Sequence, residues 1–377
     1  MRNVRIVERH GASSEVLEFA RGKAGWLKIK ASPTDAGPRF ELRQDINTPP
    51  VLYALGPNGG PPRIVLDPNP ALASNDVLGH AERIDGKLDS GQPWEGLLLV
   101  PPGFVRGKPY PLVIQSVYGQ GITSEFTLYG YQDGHGLGPS VISPYAGRMF
   151  STRGIVVLHL TLRGDTQMQT PQETSLRRQA FESAAKQLIA AGIADPARIG
   201  LLGFSRNGFY VEYTLTHSAF PFAAALAADH WDASYTAQTM LGYDSGGADV
   251  NGALPFGNGL KAWIERAPGF RADAVHTPLL QIEQSHALLG VLVKWELFSR
   301  LRYLHRPVEM YVVPNARFGV HNTQNPEQLI ASQTHAIDWF CYWLKDEIDP
   351  VPEKRQQYER WSRLRAERDA PEALPVH

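Results

Sequence analysis

The chain carries one cysteine, Cys341, among its 377 residues. No internal disulfide can form, no zinc site can be assembled from thiolates, and nothing calls for an oxidising compartment. Cys341 sits within Trp339-Phe340-Cys341-Tyr342-Trp343, an apolar run in which a buried, inert thiol is expected. Excess charge is missing too: 37 Lys and Arg face 38 Asp and Glu, so no overall field recruits nucleic acid or an acidic membrane surface. No apolar stretch reaches the length of a membrane span, and the start Met1-Arg2-Asn3-Val4-Arg5 leads into no signal-like run. The 12 histidines contain no His-Glu-x-x-His pair. Gly134-His135-Gly136-Leu137-Gly138 is glycine-rich, but no strand leads into it and no helix pattern opens after it, which argues against a phosphate cradle. The expectation is a cytoplasmic globular protein with no cofactor, no metal, no nucleic acid and no membrane partner; oligomeric state is not legible.

What is present falls into two textures. Up to about Asn69, short alternating runs such as Gly25 to Lys30, Arg39 to Arg43, Val51 to Leu55 and Arg63 to Leu66 are broken by Gly, Pro and Asp. That pattern reads as antiparallel strands. They suffice for one or two propeller blades, whereas a closed propeller needs about four. The strands are therefore either the end of an incomplete propeller or a small cap. From Trp94 the runs become continuous: Leu97 to Val100, Leu112 to Ser116, Ile155 to Leu158, Ile199 to Leu202, Phe222 to Ala225, Leu279 to Ile282 and Val308 to Val313. Strands buried on both faces look like this. Helical patterns separate them, at Ser175 to Ala191, Gly208 to Thr216, Lys294 to Leu304 and Gln328 to Leu344. The alternation predicts an α/β fold with a mostly parallel, doubly wound sheet over residues 91–377, preceded by a strand-rich segment over 1–90. The tail from Pro352 to Arg368 reads as a surface helix held by Tyr358, Trp361 and Leu364.

One stretch organises the second part. Arg198-Ile199-Gly200-Leu201-Leu202-Gly203-Phe204-Ser205-Arg206-Asn207-Gly208-Phe209 is an apolar strand that turns at a serine into a helix. A nucleophile elbow reads G-x-S-x-G; Gly203 and Ser205 fit it, and Asn207 stands at the second glycine position with Gly208 following. Ser205 is thus a candidate nucleophile, the other reading being a serine that caps the helix.

A serine hydroxyl needs a base, and the base an orienting carboxylate. Where such a serine follows a central strand, the acid and then the histidine arrive after later strands. His321 is the sole histidine in the loop after Val313 and suits the base. Glu283, at the end of Leu279 to Ile282, is preferred as the acid over Glu296, which falls in a helical pattern. The backbone amide of Arg206 is one oxyanion donor by construction. Tyr118, after Leu112 to Ser116, offers its phenol as a second or else packs at the strand end. His230-Trp231-Asp232 suits a pocket wall.

From Trp94 to Arg365 the chain resembles the catalytic domain of prolyl-oligopeptidase-family serine peptidases, an α/β-hydrolase fold. The likeness is carried by Val117-Tyr118-Gly119, Leu162-Arg163-Gly164-Asp165 and Ile199 to Gly208. Leu215 to Ser218, Gly257 to Pro268, Arg306 to Glu309, Asn325 to Gln333 and Asp338 to Phe340 resemble the branch that includes the lasso-peptide isopeptidases. The resemblance implies Ser205 as nucleophile, His321 as base and Tyr118 as an oxyanion donor. Where the family carries its acid, this chain reads Ser285-His286-Ala287. The family also carries a propeller over the site, of which only final strands are expected here. The implied activity is hydrolysis of peptide or isopeptide amide bonds through an acyl-enzyme, with a lasso peptide as partner. A peptidase on short linear peptides and a non-catalytic peptide-binding protein are the alternatives.

Overall fold

The computed structural model describes residues 3–10, 13–22, 25–29, 39–56, 60–72, 75–117, 122, 124–127, 131–132, 141–164, 166–231, 233–242, 246–283, 288–313 and 325–370. Tyr118, His321, Asp165, Asp232, Gly134 to Gly138 and Ser285 to Ala287 lie outside them.

The chain opens with β1 (Asn3–His10), β2 (Ser13–Gly22), β3 (Gly25–Ile29), β4 (Arg39–Arg43), β5 (Val51–Ala54) and β6 (Arg63–Leu66). These are two three-stranded antiparallel ribbons fused by one parallel pair, β1 with β4, into a sheet of order β3-β2-β1-β4-β5-β6. The expected antiparallel segment is there, lengthened by β1 and β2, whose mixed charged and apolar residues signal strand only weakly.

After α1 (Asn75–Leu78) come β7 (His80–Lys87), β8 (Pro93–Val100) and β9 (Tyr110–Ser116). A short ribbon of β10 (Tyr131–Gln132) and β11 (Val141–Ser143) precedes α2 (Gly147–Ser151), β12 (Val156–Leu162) and α3 (Glu173–Ala190). Then follow β13 (Ala194–Phe204), α4 (Arg206–His217) and β14 (Ala224–Ala228). An excursion holds α5 (Tyr235–Leu241), α6 (Gly247–Asn251) and α7 (Leu260–Arg266). The chain ends with β15 (Leu279–Glu283), α8 (Leu288–Tyr303), β16 (Val308–Val312), α9 (Pro326–Lys345) and α10 (Arg355–Asp369).

Eight strands form the main sheet in the order β16-β15-β14-β13-β9-β12-β8-β7, parallel from β16 to β12, with β8 antiparallel to both its neighbours. This is an α/β-hydrolase sheet. It begins at β7, ahead of residue 91. β14 lies two residues later than its expected position, because it pairs residue for residue with Gly200 to Phe204.

Each central strand feeds two cores. Along β9, Leu112 and Ile114 enter the layer under α3, α4 and α8, while Val113 enters the layer under α2, α9 and α10. Period-two side-chain direction makes this unavoidable for an apolar strand between two helical layers, and each such residue contributes about 1.5–3 kcal/mol of burial. Among the described residues no helix is long and apolar enough to cross a membrane.

Two contacts fasten the small sheet's loop to the large one. The Asn47 side chain exchanges hydrogen bonds with the Ala81 backbone at 2.7 and 2.9 Å, as a strand neighbour would. Arg148, buried without a carboxylate partner among the described hydrogen bonds, donates to the carbonyls of Ile46 and Thr127 and stacks on Phe126. Burial pulls its pKa down to about 10, so it stays charged at neutral pH.

The tail helix packs as its spacing predicts: Tyr358, Trp361 and Leu364 are buried. Trp361 meets Trp339 edge-on at 5.2 Å and donates from Nε1 to Glu309 Oε2 at 2.8 Å. Trp361→Ala should lower the unfolding free energy by about 3–5 kcal/mol, read from chemical denaturation, because a cavity and an unpaired Glu309 oxygen both result.

Candidate active site

β13 runs into α4 without a connecting loop, and the corner residue is Ser205. Its backbone sits at φ 58°, ψ −136°, a conformation that L-residues occupy only when the surroundings impose it. What imposes it is the approach of helix to strand. A Cβ on Gly203 would lie 2.2 Å from the carbonyl oxygen of Asn207, and one on Gly208 would lie 2.3 Å from Cβ of His230. Both positions therefore require glycine. The Ser205 amide donates to the Ala228 carbonyl at 2.9 Å, and its side chain makes no capping bond to α4. A capping serine would accept from the helix's first amides, and the Ser205 side chain, at the N-cap position, does not.

Asn207, the departure from the elbow pattern, has a structural account. Gly208 makes the close approach to β14, which frees the preceding position for a side chain. Asn207 is buried and its Oδ1 accepts from Ser116 Oγ at 2.7 Å, tying the corner to the end of β9.

Arg206 opens α4. Its guanidinium pairs with Glu173, at the start of α3, through Nε and through Nη2 at 2.7 Å, and stacks over Trp231 at 4.2 Å. Glu173 is fully buried; besides Arg206 it accepts from the Tyr210 hydroxyl and, at 2.5 Å, from the Gln169 amide. Charge-assisted bonds of this kind, fixed at both ends, hold the first turn of α4 in one orientation.

The strand ends beside the corner form a row. The Ser205 amide bonds to Ala228, the Asp229 amide to Ile282 at 2.6 Å, and the Val313 amide to Glu283 at 2.8 Å. Glu283 thus lies two strands from Ser205, about 10 Å by the usual interstrand spacing. An imidazole with a hydrogen bond at each end spans a comparable distance, about 8 Å between the outer oxygens.

Glu283 is fully buried. Its Oε2 accepts from the Lys294 ammonium, and among the described residues Oε1 has no hydrogen-bond partner. Burial raises its pKa to about 7, against the pull of Lys294. Lys294 Nζ also lies 3.6 Å from Asp229 Oδ1. Next to it, His230 Nε2 lies 3.0 Å from Glu212 Oε1, which also accepts from Gln281 Nε2 at 2.7 Å. Burial opposes a charge on His230, but the Glu212 carboxylate outweighs it and the pKa is raised. Glu296 is occupied elsewhere: it accepts from the Thr236 amide at 2.7 Å and meets Arg300 at 3.2 Å, fastening the start of α5 to α8. Cys341 is buried, and burial raises its thiol pKa to about 11.

Of the residues singled out from the sequence, Ser205, Arg206 and Glu283 come together at one end of the sheet; Tyr118 and His321 fall outside the described residues. Sequence reasoning passed over Glu173, Glu212, Asp229 and Lys294. The available signal was a charged residue at an otherwise apolar position, as in Phe209-Tyr210-Val211-Glu212-Tyr213.

The sheet order and the serine corner define an α/β-hydrolase domain of the kind found in prolyl-oligopeptidase-family peptidases. The chain is similar to the lasso peptide isopeptidase AtxE2 of Asticcacaulis excentricus, 29% identical over an alignment of 342 residues that covers 87% of this chain and 47% of that protein. A solved structure of AtxE2 isopeptidase, a serine-to-alanine variant with Astexin3-dC4 bound, superposes with a TM-score of 0.69 at 24% identity, over 94% of this chain and 55% of that one. The acylaminoacyl peptidase of Pyrococcus horikoshii superposes with a TM-score of 0.61 at 15% identity, over 91% of this chain and 54% of that one. The chain thus spans about half the length of the relatives it matches. No protein-family model matches it.

Gly203→Ala should abolish the soluble folded protein or its reaction with serine-directed probes, since the added methyl meets helix backbone that cannot yield. Asn207→Ala, which leaves Ser116 without this acceptor, should cost about 1–3 kcal/mol in thermal or chemical denaturation.

Proposed function

We propose that this protein is a serine hydrolase of amide bonds acting through an acyl-enzyme on Ser205, and that its substrate is a lasso peptide opened at the isopeptide bond. The observation that carries the chemistry is the serine held at positive φ where a central strand meets a helix. In the proposed mechanism His321 takes the Ser205 proton as the hydroxyl oxygen attacks the carbonyl carbon. The Arg206 amide and the Tyr118 phenol donate to the oxyanion, and Glu283 orients the imidazole and offsets its positive charge. The imidazolium then gives its proton to the leaving amine; water, deprotonated by the same imidazole, releases the acyl group and regenerates the serine. No cofactor or metal takes part.

The substrate class is supported by the similarity to AtxE2 and by the peptide Astexin3-dC4 bound in that protein's structure. The likeness to an acylaminoacyl peptidase favours a linear peptide as the second reading. The single, buried cysteine is in keeping with a cytoplasmic place of action.

A fluorophosphonate probe should label the wild-type chain and fail to label Ser205→Ala, whereas His321→Ala should slow labelling by about a thousandfold or more. Folded wild-type protein that stays unlabelled would rule out nucleophilic catalysis. With a threaded lasso peptide, mass spectrometry should show the gain of one water, absent for its unthreaded topoisomer; equal cleavage of both selects the linear-peptide reading.

A further inference from the structure

We propose that Lys294 is a positioning residue of this site, whose ammonium holds the Glu283 carboxylate as an oriented anion for the catalytic histidine. This rests on the reading of Glu283 as the acid. It goes beyond that reading in giving the site a fourth member, a cation supplied by α8.

The geometry is specific. Lys294 and Glu283 are 5% and 0% exposed, so neither charge is compensated by bulk water. The ammonium reaches one carboxylate oxygen of Glu283 and leaves the other without a partner among the described residues, which is the arrangement a carboxylate needs if it must still accept from an imidazole. Its second contact, Asp229 at 3.6 Å, stands between Ser205 and Glu283 in the row of strand ends.

A buried ion pair is a poor way to gain stability, since well-packed apolar residues do as well or better. What such a pair supplies here is a charge state. Glu283 titrates at about 7 even with the ammonium beside it. Among the described residues the groups facing it are Lys294 from α8, and Asp229 and His230 just past β14, with Glu212 of α4 set against His230. Lys294 and His230 favour the anion and Asp229 opposes it. Without Lys294, burial and Asp229 act against the anion, and among the described groups His230 is what offsets them. Glu283 and the histidine titrate as a coupled pair. Loss of a neighbouring positive charge raises the proton affinity of either member, so the acidic limb of the activity moves upward in pH whichever proton it reports.

The test is the rate of fluorophosphonate labelling of the whole chain from about pH 5 to about pH 9, which needs no knowledge of the substrate. Lys294→Met should label about tenfold more slowly at neutral pH, recover at the alkaline end, and show an acidic limb displaced upward by about one unit. Lys294→Arg should restore most of the neutral rate. Lys294→Gln is the second neutral variant, should methionine compromise folding, and carries the same expectation. In a Glu283→Gln background, which itself should label more slowly, replacing Lys294 should move the limb by only a small fraction of that displacement. An unmoved limb in both neutral variants, or the full displacement persisting in the Glu283→Gln background, overturns the proposal. Wild-type labelling by Glu283→Gln instead removes Glu283 from the mechanism, a separate failure.

Discussion

The close approach of α4 to β13 and β14 is the constraint on which the rest of the site depends. Two glycines, Gly203 and Gly208, let backbone meet backbone or a neighbouring strand end at distances that no Cβ permits. The serine between them is then left in a conformation it would not choose. The strain of such a residue costs about 1–3 kcal/mol and persists only because the flanking elements are fully committed to the core. α4 is committed in this way: every residue from Asn207 to Thr216 is buried.

Around that corner the polar groups follow from the same packing. A helix buried on all sides cannot leave its polar side chains to water, so each is matched: Asn207 with Ser116, Glu212 with Gln281 and His230, and Arg206 with Glu173. Each pair joins α4 to a different neighbour, β9, then β14 and β15, then α3. The first turn of the helix, which carries the amide next to the serine, is therefore fixed from several directions. Burial that gives the corner its rigidity also pushes the Glu283 pKa up to about 7, because the carboxylate sits where a parallel sheet has no water to offer.

Much of this was legible in the sequence, and for identifiable reasons. Leu112 to Ser116 and Leu279 to Ile282 announce buried parallel strands because apolar residues follow one another there without period-two alternation, and Tyr358, Trp361 and Leu364 announce a helix because their spacing fits no other element. β1 and β2 were not legible in this way, since charged residues alternate with apolar ones irregularly along them. The helices of the excursion after β14 are short, at five to seven residues, and leave no periodicity to count. The match of Asn207 to Ser116 spans 91 residues and could not be read along the chain.

The sequence by itself determined the serine corner. Its pattern, a small residue two before the serine and another three after, is written within six consecutive residues, although the crowding that demands glycine at 208 comes from His230, just past β14. Which charges would share the space behind it was decided only by the tertiary structure. Glu212, Asp229, Glu283 and Lys294 sit on four elements, and strand order and helix docking bring them together. Once buried there, Glu283 takes its ionisation from its neighbours, and those neighbours are set by which strands lie side by side.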